Sequence, residues 1–251
     1  MARSLRGGGG THARTAAAEV PVKVTFPEGL RREDIAKILG DKTGISPDEY
    51  LRLTASGAQG QHLAGVSSPR SLEGFLFPAT YDVFKATTAK NLVDQQLAAY
   101  RNNTADVSYA AAARKNLTRY DVLIIASLVE REVRRPDERR VVAGVIYNRL
   151  HDHMRLDIDA TVQYALGSWK TNLTQSDLNI DSPYNTRRFK GLPPGPISNP
   201  GVASIQAAAN PVHTPYLYYV ARNDGSGGHY FATTEAQFQV DIARSQKNAG
   251  G

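Results

Sequence analysis

Glu130 stands near the end of the apolar run Asp121-Val-Leu-Ile-Ile-Ala-Ser-Leu-Val-Glu-Arg-Glu-Val133, a setting in which a carboxyl group meets little water. The run predicts a helix, with Thr118 as its N-cap and Asp121, three residues on, completing a capping box. At about 100° per residue, Val122, Ala126, Val129 and Val133 share one face within roughly 60°, while Ser127, Arg131, Arg134 and Arg135 lie opposite. Glu130 falls between Ala126 and Leu123, on the shoulder of the apolar face. A carboxyl there is partly desolvated, its neutral form is favoured, and it can give up a proton as a general acid near neutral pH. The same spacing also suits an ordinary ion pair with Arg134, four residues on. Periodicity leaves both readings open.

Several elements must position that helix. Val22-Lys-Val-Thr-Phe26 alternates like a strand, Pro27-Glu-Gly29 turns, and Arg32 to Leu39 carries Ile35, Ala36, Ile38 and Leu39 at helical spacing. A second short helix starts at Ser46-Pro47-Asp48, with serine as cap and proline at the first helical position. This small strand-helix-helix module shows no catalytic constellation of its own, and a Gly-, Ser- and Gln-rich stretch from Thr54 to Arg70 reads as its linker. Beyond residue 71, Asp137 to Leu150 predicts an amphipathic helix with Val142, Val145, Ile146 and Leu150 inward, and Asp159 is placed to cap a helix over Ala160 to Leu166. Tyr216 to Ala221 and His229 to Ala232 read as two strands around Asn-Asp-Gly-Ser-Gly-Gly, and Thr234-Glu-Ala-Gln237 as the capping box of a last helix. Helices followed by a hairpin, without regular strand-helix alternation, predict an α+β fold. The segment Gly191-Leu-Pro-Pro-Gly-Pro-Ile-Ser-Asn-Pro-Gly201 holds four prolines and three glycines, a stiff irregular loop that either walls a groove or simply connects.

Composition narrows the classes of function. With 251 residues and 41% hydrophobic content, the chain can bury a core. A net charge of +6 suits a polyanionic partner, yet the basic residues are scattered and no basic run is interleaved with aromatics, which argues against nucleic acid. The absence of cysteine removes disulfides, thiolate metal sites and a cysteine nucleophile. No spaced set of His, Asp and Glu reads as a metal site, so neither metal nor cofactor is expected. No stretch approaches the roughly 20 apolar residues of a membrane span. Residues 1 to 19 read as a flexible Gly-, Ala- and Arg-rich leader, residues 20 to 70 as the module and its linker, and residues 71 to 251 as the main domain.

The chain resembles the YceG-like (MltG-type) endolytic transglycosylases of bacterial peptidoglycan. The resemblance rests on Leu72-Glu-Gly-Phe-Leu-Phe-Pro-Ala-Thr-Tyr81, Ala126-Ser-Leu-Val-Glu-Arg-Glu132, Val145-Ile-Tyr-Asn-Arg-Leu150, Asp159-Ala-Thr-Val-Gln-Tyr164, Ser182-Pro-Tyr-Asn-Thr186, Gly191-Leu-Pro-Pro-Gly-Pro-Ile197 and Tyr216-Leu-Tyr-Tyr-Val220. These are seven collinear blocks over about 150 residues. The family's catalytic glutamate is the first acidic residue of the second block, which is Glu130 here. By the same blocks Glu73, Asn148, Tyr184 and Asn185 become substrate-binding candidates. Glu73 reads equally as a core or capping group, and Asn185 as a turn-stabilising residue. Glu132 lies about 160° around the helix from Glu130, so the two cannot flank one bond, and it reads as an ion-pair partner.

The resemblance implies cleavage of the β-1,4 bond between N-acetylmuramic acid and N-acetylglucosamine within a strand, leaving a 1,6-anhydro-muramyl end. One carboxyl then suffices, as acid to the leaving oxygen and afterwards as base to the muramyl C6 hydroxyl. The implied partners are glycan strands and peptidoglycan synthases, and the implied place is the outer face of the cytoplasmic membrane. Two departures are visible. The family's N-terminal membrane helix and fuller LysM-like region are missing, so the chain reads as an N-terminally truncated form whose membrane contact runs through an absent segment. Asp157 stands where the family often carries Gln. A hydrolytic muramidase and a noncatalytic peptidoglycan-binding protein are the competing readings; the first would need a second carboxyl near Glu130, and the second would tolerate loss of Glu130.

Overall fold

A computed structural model of the protein describes residues 19–57, 63, 65 and 69–250. The expected leader, apart from residue 19, and much of the expected linker lie outside these. In chain order the elements are β1 (Val22–Thr25), α1 (Arg32–Lys42), α2 (Pro47–Thr54), β2 (Thr80–Val83), α3 (Ala89–Thr104), α4 (Ala110–Ala113) and α5 (Arg119–Glu132). A 3-10 turn (Pro136–Glu138) leads into α6 (Arg139–His151), followed by α7 (Asp159–Leu166), α8 (Gln175–Leu178), α9 (Val202–Ala209), β3 (Tyr218–Ala221), β4 (His229–Ala232) and α10 (Glu235–Ala249). Both ladders are antiparallel pairs: β1 with β2, Val22 opposite Val83, and β3 with β4, Tyr218 opposite Ala232. The fold is α+β, as the element order predicts.

Helix α5 forms the centre of the core. The Thr118 cap is present: its Oγ1 accepts from the Asp121 N–H at 3.1 Å, and Asp121 Oδ2 accepts from the Thr118 N–H at 2.8 Å. Every residue from Val122 to Val129 is buried, which corrects the expectation of an exposed face at Ser127. One stripe was expected because periodicity assumes one neighbour, whereas α9 and the proline-rich loop cover the far side. Ser127 is tolerated there because its hydroxyl donates to the Ile124 carbonyl at 2.7 Å and accepts from the Ile197 N–H at 3.0 Å.

Close approach elsewhere is set by small residues. At Gly144 on α6 a β-carbon would lie 2.7 Å from the Val212 carbonyl oxygen and 2.8 Å from Thr214 Cγ2, so the chain after α9 packs onto bare backbone. Gly144→Ala is expected to destabilise the fold by about 1–3 kcal/mol through overpacking, read as a lower urea midpoint with an unchanged slope.

Two capping expectations are corrected. Asp159 is the first residue of α7 and Ile158 its N-cap; the Asp159 carboxylate accepts from Arg187 Nη1 at 2.7 Å instead of capping. Thr234 caps α10 through the Gln237 N–H at 3.2 Å, without the reciprocal half of a box.

The N-terminal module is joined to the rest by backbone as well as by side chains. The β1–β2 ladder pairs residues on either side of residue 71, the Gly29 N–H donates to the Asn199 carbonyl at 2.9 Å, and the Asn199 N–H donates to the Leu30 carbonyl at 2.8 Å. Asn199 is 1% exposed, and its side-chain amide is fully used. Its Oδ1 accepts from the Gly74 and Leu76 N–H groups at 2.8 and 3.0 Å, and its Nδ2 donates to Leu30 O and Glu73 Oε1 at 3.0 and 2.7 Å.

Candidate active site

Glu130 lies in the last turn of α5, half-buried, with Oε2 accepting from the Gly201 N–H at 3.0 Å. Gly201 is the N-cap of α9, where backbone N–H groups lack helical partners and favour negative charge. The proline-rich loop delivers it there. Prolines 193, 194, 196 and 200 restrict the chain, Ile197 and Ser198 bond to Ser127, and residues 195–201 are buried, so the loop is core structure that carries an amide to Glu130. Glu130 does not pair with Arg134: among the described residues no ion pair joins them.

Gly201 has an ordinary φ of −75°, so a side chain there would contest space and not backbone angle. A β-carbon there would sit 1.7 Å from Glu28 Oε1 and 2.1 Å from Glu28 Cδ. The Glu28 carboxyl therefore fills the place of a side chain at position 201, and Glu28 and Glu130 flank the same residue. The turn at Pro27 to Gly29 aims it, with Gly29 at φ +81° and a β-carbon position 3.6 Å from Glu130 Cγ. The N-terminal module, in which the sequence shows no catalytic constellation, thus brings a carboxyl to the same glycine that Glu130 binds. A Pro-Glu-Gly turn gives no local sign that its carboxyl will meet a residue a hundred positions on.

The charges around this pair are unequal. Burial, then the neighbouring Glu130 charge, pushes the Glu28 carboxyl above the usual range, and Arg139 opposes them. Arg131 lies 3.8 Å over the Trp169 ring and donates from Nη1 to the Gly29 carbonyl at 3.2 Å; burial lowers its pKa. Arg31 packs on the same ring at 5.2 Å.

Glu132 faces the other side of α5. It accepts from the Tyr219 hydroxyl at 3.1 Å, and burial pushes its carboxyl up to about 7. No ion pair under 4 Å involves it among the described residues, so the expected ion-pair role is replaced by a hydrogen bond to β3.

The four substrate-binding candidates divide. Glu73 is 1% exposed and lies inside the wall, accepting from Asn199 Nδ2, from the Arg32 N–H at 3.3 Å and from the Tyr164 hydroxyl at 3.5 Å. Burial first, and Glu33 second, push it up to about 8. Asn148 is half-buried, with Nδ2 donating to the Thr214 and Tyr216 carbonyls at 2.8 and 2.9 Å. Asn185 is fully buried: Nδ2 donates to the Leu178 and Ile180 carbonyls at 3.0 and 2.9 Å, and Oδ1 accepts from the Arg187 N–H at 3.0 Å. These three hold backbone segments in place. Tyr184 keeps a half-exposed ring against Tyr164, with centroids 4.8 Å apart, beside an open cleft of about 500 Å³ lined by Asp181, Pro183, Phe189, Leu192 and Pro194. Asp157 takes φ +55°, which Asp tolerates, and accepts from Arg149 Nη1 at 3.1 Å.

The sequence profile described as the YceG-like family matches residues 4–244. A protein of Streptococcus pneumoniae strain R6 named endolytic murein transglycosylase is 38% identical over 231 residues, 87% of this chain and 40% of that protein. One of the same name from Bacillus subtilis strain 168 is 39% identical over 215 residues, 81% of this chain and 60% of that protein. The chain thus spans about half the length of these curated relatives. A crystal structure of a YceG-like protein from Listeria monocytogenes, 33% identical, superposes with a TM-score of 0.76 over 88% of this chain and 76% of that one. On the profile match and the shared fold, the chain belongs to the YceG-like family.

Proposed function

We propose that the protein acts as an endolytic murein transglycosylase, cutting the muramyl-to-glucosaminyl β-1,4 bond within peptidoglycan strands, with Glu130 as acid and then base. The observation that carries this is the setting of Glu130: Oε2 is fixed by the Gly201 amide, while no protein donor reaches Oε1 among the described residues. A carboxyl held at one oxygen keeps the other aimed for proton transfer, and holding the acid in one pose is part of the rate.

In the first step Glu130 gives its proton to the leaving glycosidic oxygen as the C1–O bond breaks. In the second, the muramyl C6 oxygen bonds to C1 and its proton passes to Glu130, which ends protonated as it began. No water enters. The C6 hydroxyl belongs to the same sugar, so its effective concentration exceeds that of a bulk nucleophile. The names of the relatives and the resemblance support glycan strands as substrate and the cell envelope as the place of action. Work beside peptidoglycan synthases at the outer face of the membrane, with Tyr184 against the sugar, belongs to the same reading.

The hydrolytic reading has one supporting feature, the Glu28 carboxyl near Glu130, because muramidases use two. Mass spectrometry of digested polymeric strands separates the two readings. Internal cuts ending in 1,6-anhydro-muramyl residues, each about 18 Da lighter than the hydrolytic product, are expected. Reducing ends alone, with oxygen-18 from solvent at the cut, would replace this proposal with hydrolysis.

A further inference from the structure

We propose that Arg131, held against Trp169 beside Glu130, is the receptor for a carboxylate carried by the muramyl residue of the strand. The inference rests on glycan strands as the substrate and deepens that reading by assigning what recognises their negative charge.

The placement is the first support. The position that a β-carbon of Gly29 would take lies 3.5 Å from Arg131 Nη1 and 3.6 Å from Glu130 Cγ, so guanidinium and acid stand against the same bare turn. A sugar whose glycosidic oxygen meets Glu130 therefore brings its substituents within reach of Arg131. The muramyl residue carries a lactyl ether on C3. Its carboxyl is free in peptide-stripped strands; in peptide-bearing strands it is amide-linked to a stem that has carboxylates of its own.

The second support is how the guanidinium is held. Its central carbon lies 3.8 Å from the Trp169 ring centroid, and Nη1 donates to the Gly29 carbonyl at 3.2 Å. These contacts use one face of the group and one of its five N–H donors. The edge formed by Nε and Nη2, which can take a carboxylate in two parallel bonds, has no hydrogen-bond partner among the described residues, and the residue as a whole is exposed. An arginine fixed in this way has already met the ordering cost of binding an anion.

The surrounding charges agree. Arg31 packs on the same ring at 5.2 Å, and its charge opposes that of Arg131. Asp34 is bonded to Arg31 at 3.4 Å. Asp34, Glu130 and Glu132 act on Arg131 from a distance, and no ion pair under 4 Å involves it among the described residues. Two guanidiniums on one indole thus share a single bonded carboxylate, and a substrate carboxylate supplies the second.

The test neutralises strand carboxyls with a carbodiimide and methylamine, in two arms. Peptide-stripped strands present lactyl carboxylates, and peptide-bearing strands present those of the stem. In at least one arm Arg131→Gln is expected to raise KM about tenfold on charged strands and less than about twofold on neutralised ones, with kcat nearly unchanged. The arm that responds names the source of the carboxylate. Arg131→Lys keeps the charge without the fork and is expected to lie between, which preserves the test should the glutamine variant fail to fold. Trp169 is the single tryptophan of the chain, so its fluorescence reports on the site without turnover. In Glu130→Gln protein, charged strands are expected to change the emission at concentrations where neutralised strands do not. A loss from Arg131→Gln that is equal on charged and neutralised strands in both arms, or emission that responds alike to both, overturns the proposal. Because emission needs no cutting, a preference for charged strands in a wild-type protein that cleaves none would count against the proposed activity alone.

Discussion

Glu130→Gln is expected to lower the rate of strand cleavage by about 10²-fold or more while leaving the fold intact. The amide has nearly the shape of the carboxyl, and its oxygen can still accept from the Gly201 N–H, so α5 and α9 stay packed. What is lost is the exchangeable proton, needed once for the leaving oxygen and again for the C6 hydroxyl. The check is the rate of anhydro-product release from purified strands, with circular dichroism to verify folding. Turnover above about a tenth of wild type would move the acid elsewhere. Glu132 would then be the first candidate, since its carboxyl is pushed up to about 7 and would be half protonated near neutral pH. On the present geometry Glu132→Gln is mild, because Glu132 points at Tyr219, away from Glu28 and Gly201.

Asn199→Ala is expected to be the most destabilising single change, by about 3–5 kcal/mol. The four hydrogen bonds of its side chain run to Gly74, Leu76, Leu30 and Glu73, and those to Gly74, Leu76 and Glu73 are buried where water cannot replace them. Truncation strands the Gly74 and Leu76 N–H donors and takes one donor each from the Leu30 carbonyl and the Glu73 carboxyl, which keep the Asn199 backbone N–H and the Arg32 N–H respectively. Urea unfolding measures the loss. A cost under about 1 kcal/mol would mean that the backbone bonds between Gly29, Leu30 and Asn199 suffice to hold the module. Strand cleavage is expected to fall with it even where most molecules stay folded, since the same loop carries the Gly201 amide to Glu130.

What could be read from the chain follows from how local each signal is. The strand at Val22, the caps at Ser46 and Thr118 and the hairpin around Asn223 depend on residues within a few positions of one another, and they form as the pattern predicts. Helix α9 has no such signal. Val202-Ala-Ser-Ile-Gln-Ala-Ala-Ala209 shows little alternation, because it packs on α5 and on α6 and needs small residues for both. Glu130 stood out because a carboxyl among buried aliphatics is costly. Asn148 and Asn185 stand in the blocks that carry the resemblance, but their amides are bound to carbonyls that only the folded chain brings near. The place of Glu28 beside this site was not legible at all, since it depends on the missing side chain of Gly201, on a distant stretch of sequence.

The hydrogen bonds of Asn199 span 125 residues to Gly74 and 169 to Leu30. Such long-range closures come late in folding, after helices whose contacts are local. A nascent chain can form α5 and expose its glutamate well before residues 199 to 201 leave the ribosome. Until they do, Glu130 lacks its amide, and the turn after β1 lacks the bonds that Gly29 and Leu30 make to Asn199. On the proposed reading, competence to cut is therefore acquired only once Gly201 has been made, and a chain clipped before it would carry Glu130 without the amide that holds it.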